Sequence, residues 1–198
     1  MAPTALRETV LRAAIDYIAE HGPDGLSLRQ VASDAGVSHQ APYHHFSDRM
    51  GIFHAIAHEG FEMFTQVMLD ALARNTDDPN TELLESYVLF ALDHRGHFRV
   101  MFRSDLCSID DDAELRRVAD RSFDVLVDLV SEQLGATASI DAIRARAAAM
   151  WSLAHGLATL LIDGPLENKI GPPKDRRALI RAVARETGFA ASPPKRRR

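Results

Sequence analysis

Residues 27–49 read SLRQVASDAGVSHQAPYHHFSDR, and their punctuation is that of two short helices meeting at a turn. Ser27 followed three residues later by Gln30 is a capping box, in which hydroxyl and amide cover backbone N–H groups that a helix start leaves unbonded. Ala35-Gly36 ends that helix. Gly36 permits the positive backbone angle of a tight corner, Ala32 is small enough for a close crossing, and Val37 is an apolar anchor. Ser38 stands where it caps a third helix that closes around Phe46. Pro42 is read as within or just past the first turn, where a missing N–H matters least.

Upstream, the spacing predicts a first helix over about 5–21, with Leu6, Val10, Ala14, Tyr17 and Ile18 on one face and a stop at Gly22-Pro23. Val31, Ala32, Ala35 and Val37 can bury against Val10, Ala14 and Ile18. The outer face of the third helix is left free, with His39, Gln40, Tyr43 and His44 on it. Glutamine can form a bidentate pair with adenine and histidine can donate to guanine. Tyrosine and backbone amides hold phosphates, which fixes register without reading sequence. Arg49 and Arg29 are placed to pin phosphates from the flanking helices.

Downstream, apolar residues keep helical spacing and nowhere show the alternation of a half-buried strand. A long fourth helix is expected from about 48 to 74, then helices over about 81–93, 96–101, 111–134, 141–162 and 175–187. The fold class is therefore all-α with about nine helices. Residues 192–198, SPPKRRR, read as a disordered basic tail.

The chain has 198 residues, 46% of them hydrophobic and 26% charged, as expected of a soluble globular protein. No stretch is read as approaching the roughly 20 apolar residues of a membrane span, and the first residues lack the pattern of a secretory signal. A lone Cys107 supports neither an intrachain disulfide nor a cysteine-rich zinc site. These features predict a cytoplasmic protein without cofactor. The net charge of −5 is unevenly spread: −2 over residues 1–50, −10 over 51–173 and +7 over 174–198. A reader so weakly basic needs positioned contacts and two copies acting together. No glycine-rich phosphate loop, Gly-x-Ser-x-Gly elbow or cysteine–histidine set is present, so no enzyme is expected.

Residues 5–65 closely resemble the DNA-binding domain of the TetR family of transcription regulators. The resemblance runs through Leu11-Arg12-Ala13-Ala14, Gly22, Ser27-Leu28-Arg29-Gln30-Val31-Ala32, Ala35-Gly36-Val37-Ser38 and Pro42-Tyr43-His44-His45-Phe46-Ser47-Asp48-Arg49. Pro42 replaces a commoner leucine and Arg49 a commoner lysine. The resemblance implies an N-terminal three-helix helix-turn-helix domain over 1–50, a ligand-binding and dimerisation domain over 51–188, and a tail over 189–198. It implies a homodimer on a near-palindromic duplex operator, with Ser27, Ser38, Tyr43 and Arg49 at phosphate positions and His39, Gln40 and His44 at reading positions. Repression relieved by an unidentified small-molecule inducer is the commoner mode.

Met150-Trp151-Ser152-Leu153-Ala154-His155-Gly156 is similar to the Trp-x-x-x-His-Gly core of a subset of AcrR-like C-terminal domains. Trp151 and His155 lie one turn apart and read either as core or as pocket lining. Phe61, Phe64, Phe98 and Phe102 read first as core at helical spacing; with Trp151 and His155 they are the candidates for an inducer pocket. Ala147, Ala154, Gly156 and Ala158, with Leu157, Leu161, Leu179, Ile180 and Val183, are expected at the dimer interface. His54, His58 and Glu62 form an i, i+4, i+8 series that reads as an exposed polar stripe. A metal-responsive regulator of the same fold, or a helical adaptor without DNA binding, are the alternatives.

Overall fold

The computed structural model describes residues 3–107 and 112–188, and among them it holds nine α-helices, a 3-10 turn and no β-strand. The helices are α1 (Pro3–His21), α2 (Leu28–Asp34), α3 (Arg49–Ala73), α4 (Pro79–Asp93), α5 (Arg95–Met101), α6 (Ala113–Leu134), α7 (Ile140–Ile162), α8 (Glu167–Ile170) and α9 (Arg176–Glu186). The all-α reading holds. The third helix expected from sequence is only a 3-10 turn at Pro42–His44, and the four-residue α8 was not foreseen. The expected basic tail lies outside the described residues.

The residues gather into two compact units. The N-terminal unit comprises the described residues up to Met63 and His94–Asp120; the C-terminal unit comprises Phe64–Asp93 and the described residues from Arg121 onward. In the N-terminal unit, α1 buries Val10, Leu11, Ala14, Ile15 and Ile18, a single stripe at 3-4 spacing. It stops where Gly22 takes φ 79° and returns its N–H to the Ile18 carbonyl at 2.9 Å. α5 packs across α1 at Gly96. A Cβ on Gly96 would lie 2.3 Å from the Ile15 carbonyl oxygen, so the crossing requires glycine. From the next turn Arg99 donates to the Ile18 and Ala19 carbonyls at 3.1 and 3.0 Å. A cation there meets the negative end of the helix dipole. Cys107 is fully buried, and burial pushes its thiol up to about 12.

The C-terminal unit is organised on α4, buried nearly all round, against which α7 and α9 pack. Two buried carboxylates on α4 would be costly alone. Glu85 pairs with Arg177 and Arg181 of α9, and Glu82 pairs with Arg74 at 2.9 Å and Arg181 at 3.2 Å. By length and composition α7 could cross a membrane, which corrects the reading that no stretch comes near. Its buried residues Ile143, Ala147, Met150, Ala154, Leu157 and Leu161 nevertheless recur as one helical seam. The expected interface residues shift accordingly: Ala147, Ala154, Leu157, Ala158, Leu161 and Ile180 are consumed by the core of their own unit. The opposite face of α7 carries exposed Ala145, Ala148, Ala149, Ser152 and Leu160, and a Cβ on Gly156 would meet nothing within 4 Å.

Candidate nucleic-acid interface

α2 starts with the Ser27 hydroxyl accepting the Gln30 N–H at 3.2 Å. Only half of the expected box forms, because the Gln30 side chain donates to Asp34, one turn on, at 2.8 Å. α2 ends in a Schellman motif: the Val37 N–H reaches the Ala32 carbonyl at 3.0 Å, and the Gly36 N–H reaches Ser33 at 3.1 Å, with Gly36 at φ 65°. The chain then turns by successive i to i+3 bonds from the Ser38 carbonyl to the His45 N–H. Position 42 is the fourth after Ser38, and its N–H would close the first α-helical bond. Proline has none, so the Ser38 carbonyl takes the Ala41 N–H at 2.9 Å and the segment tightens. Ser38 does not cap a helix; Ala41 precedes the 3-10 turn, with no side-chain cap.

Ala41, Pro42 and Phe46 are buried, while Ser38, His39, Gln40, Tyr43 and His44 are exposed, Tyr43 to 53%. Ser27, Arg29 and Arg49 are exposed as well. The eight side chains expected to meet DNA thus all lie on the surface, five of them in one short segment over an apolar anchor. Arg49 is partly engaged, donating to the Asp24 carbonyl at 3.2 Å and lying 5.6 Å over the Phe53 ring. Arg7, unremarked in the sequence, lies 5.3 Å over Phe46 and steadies the end of the turn.

The six pocket candidates divide between the units. Phe61, Phe98 and Phe102 form an edge-on cluster in the N-terminal one, with centroids 5.5 and 5.3 Å from Phe102. In the C-terminal one, Tyr87 joins the others. Phe64 meets it edge-on at 5.0 Å, Trp151 Nε1 donates to its Oη at 3.2 Å, and its hydroxyl lies 2.9 Å from His155 Nδ1. Burial raises the phenol's pKa and lowers that of His155, which favours a neutral hydroxyl beside a neutral ring. Trp151 stays 40% exposed.

A family model described as "Bacterial regulatory proteins, tetR family" matches residues 10–56, and one described as "Tetracyclin repressor-like, C-terminal domain" matches residues 80–187. The chain belongs to the TetR family. The HTH-type transcriptional repressor AcnR of Corynebacterium glutamicum is 35% identical over 66 residues, which are 33% of this chain and 35% of AcnR. The HTH-type transcriptional repressor BepR of Brucella suis is 30% identical over 135 residues, 65% of this chain and 63% of BepR. The chain thus spans about a third of AcnR and under two thirds of BepR. A solved structure from Rhodococcus sp. RHA1, described as a protein with unknown function, superposes with a TM-score of 0.73 at 32% identity, covering 93% of both chains.

Two features of this TetR-family chain escaped the sequence reading. Tyr87 sits in an apolar run, and only its contacts 64 and 68 residues away reveal a polar role. In the His54, His58 and Glu62 stripe Glu62 is exposed, but the two histidines are partly buried against Asp112 and Glu114 at the start of α6. Among the described residues no group of three or more His, Cys, Asp or Glu side chains is arranged to hold a metal ion.

Proposed function

We propose that this protein is a cytoplasmic, sequence-specific DNA-binding repressor that acts as a homodimer on a near-palindromic operator and is released by a small-molecule inducer. The observation that carries the reading is the exposed row Ser38, His39, Gln40, Tyr43 and His44 over buried Ala41, Pro42 and Phe46. Among the described residues, nothing in the apolar packing occupies those polar side chains. Gln40, His39 and His44 then read base edges, while Tyr43, Ser27, Ser38, Arg29 and Arg49 hold phosphates. Functionally, residues 1–50 read DNA and 51–188 bind ligand and dimerise. No catalytic step is part of the proposal.

Dimerisation is supported by the exposed small-residue face of α7, where Ala145, Ala148, Ala149 and Ser152 admit a close helix and Leu160 adds apolar area. A two-fold pair puts two reading turns about 34–36 Å apart, one turn of duplex. It also makes up for the small charge of each reader. For the inducer, the Tyr87–Trp151–His155 network offers hydrogen-bonding groups beside Phe64, a setting for a mainly apolar molecule with one polar group.

In-vitro selection of bound duplexes tests the reading. A two-fold repeated site is expected. Gln40→Ala relaxes preference at one base pair of each half-site, and Tyr43→Phe weakens all sequences alike by about 1 kcal/mol per contact. Selection of no common sequence, or two variants indistinguishable from the parent, overturns the assignment. A reporter carrying the selected site separates repression from activation.

A further inference from the structure

Successive turns of α3 carry His54, His58 and Glu62, and the start of α6 brings Asp112 and Glu114 against them. They line an open cleft of about 480 Å³ in the N-terminal unit, whose other charged walls are Arg7 of α1 and Glu59 of α3. His54 Nδ1 lies 3.3 Å from Asp112 Oδ2. His58 is bracketed, with Nδ1 3.4 Å from Glu62 Oε2 and Nε2 3.6 Å from Glu114 Oε1. The bracket decides the chemistry. An ionised carboxylate only accepts hydrogen bonds, and a neutral imidazole has a single N–H. Neutral His58 therefore turns a lone pair towards one of its two acids, whereas imidazolium offers an N–H to each.

We propose that His54 and His58, with Glu62, Asp112 and Glu114, form a proton-operated latch that fastens the start of α6 to α3, closed when the imidazoles are protonated and released when they are not. Two acids of the latch, Asp112 and Glu114, stay charged across the working range. Asp112 is held below the usual carboxylate range first by the Leu115 N–H, Glu114 first by the Arg117 guanidinium, and the histidines add to both. Asp112 Oδ1 also accepts the Glu114 and Leu115 N–H groups at 3.0 Å. The residue that His54 holds is thus the one that starts α6.

The surrounding charges favour the same direction. Around the two imidazoles stand the carboxylates of Glu59, Glu62, Asp112 and Glu114 and the guanidinium of Arg7. Arg117 is committed to Glu114, and Glu59 to His97 of α5 at 3.2 Å. With neutral imidazoles the lining carries an excess of three negative charges, and with two imidazolium rings an excess of one. Histidine is the side chain whose charge changes between about pH 5 and 8.

A double-mutant cycle reads the latch without any reference to DNA, so its failure and that of the proposed function are separate outcomes. The full-length chain, His58→Gln, Glu114→Gln and the double variant are unfolded in urea at pH 5.5 and pH 8.0. The expected coupling is about two- to fivefold in the unfolding equilibrium constant at the lower pH, as for a partly exposed pair. At the higher pH it falls to none. The same cycle on His54→Gln and Asp112→Asn should show the same loss. Coupling that is equal at both pH values, or absent at both, overturns the latch.

Discussion

Gly96→Ala puts a methyl group 2.3 Å from the Ile15 carbonyl oxygen, 2.8 Å from Ile15 Cγ2 and 3.1 Å from the Ile15 carbonyl carbon. Two of these atoms are backbone in the middle of α1 and cannot rotate away. Ordinary contact needs at least about 3.4 Å, so α5 must back off by roughly an ångström. Overpacking of this kind costs about 1–3 kcal/mol. The shift also stretches the two Arg99 bonds to the Ile18 and Ala19 carbonyls, and a charge-assisted bond is worth about 1.5–3 kcal/mol. Against this, alanine gains at most about 1 kcal/mol of helix propensity over glycine. The balance is a loss of about 2–4 kcal/mol. With a urea m-value of about 2 kcal/mol/M, the unfolding midpoint drops by about 1–2 M. Far-UV circular dichroism at fixed protein concentration measures it. Gly51→Ala is the control in the same unit: its nearest neighbour would be 3.8 Å away, and it should hold or gain up to about 1 kcal/mol. A Gly96→Ala protein as stable as the parent refutes the close crossing of α5 on α1.

Tyr87→Phe removes the acceptor of Trp151 and the hydrogen-bond partner of His155 and is expected to cost about 1–3 kcal/mol. Trp151 is the single tryptophan, so its emission should shift at the same time; an unmoved spectrum counts against the hydrogen bond. Because burial lowers the pKa of His155, the unfolded chain takes up this proton first as the pH falls below the ordinary imidazole value of about 6.5. That group makes stability decline towards acid. His155→Gln should flatten this part of the slope. Cys107, fully buried with its thiol pushed up to about 12, should resist thiol reagents at pH 8 until the chain unfolds. Rapid labelling of the native protein contradicts its place in the core.

What the sequence made legible was local. Ser27 as a cap, Gly36 in the corner and Gly22 at the end of α1 are choices a backbone imposes within five residues, and each is in place. The apolar stripe of α1 is local in the same sense. Pro42 was misjudged by counting from the wrong end, since four residues after Ser38 the missing N–H is the first one a helix needs. The phase of α7 was misjudged because its small and aliphatic residues run around most of the helix. Which side is core is decided by α4, some 60 residues earlier. The same holds for Glu85 with Arg177 and for Tyr87 with His155, separated by 92 and 68 positions. Pairings of that span leave no periodic trace in the chain.

The proline that tightened the turn also resizes what it can reach. A 3-10 path climbs about 2.0 Å per residue against about 1.5 Å for an α-helix, so the two steps from Pro42 to His44 span about 4 Å rather than about 3 Å. Residues three apart also eclipse in this geometry, which stacks Gln40 above Tyr43. Pro42→Leu would supply the missing N–H and redistribute these side chains around a rounder surface, and on the proposed reading in-vitro selection with that variant should return a changed half-site.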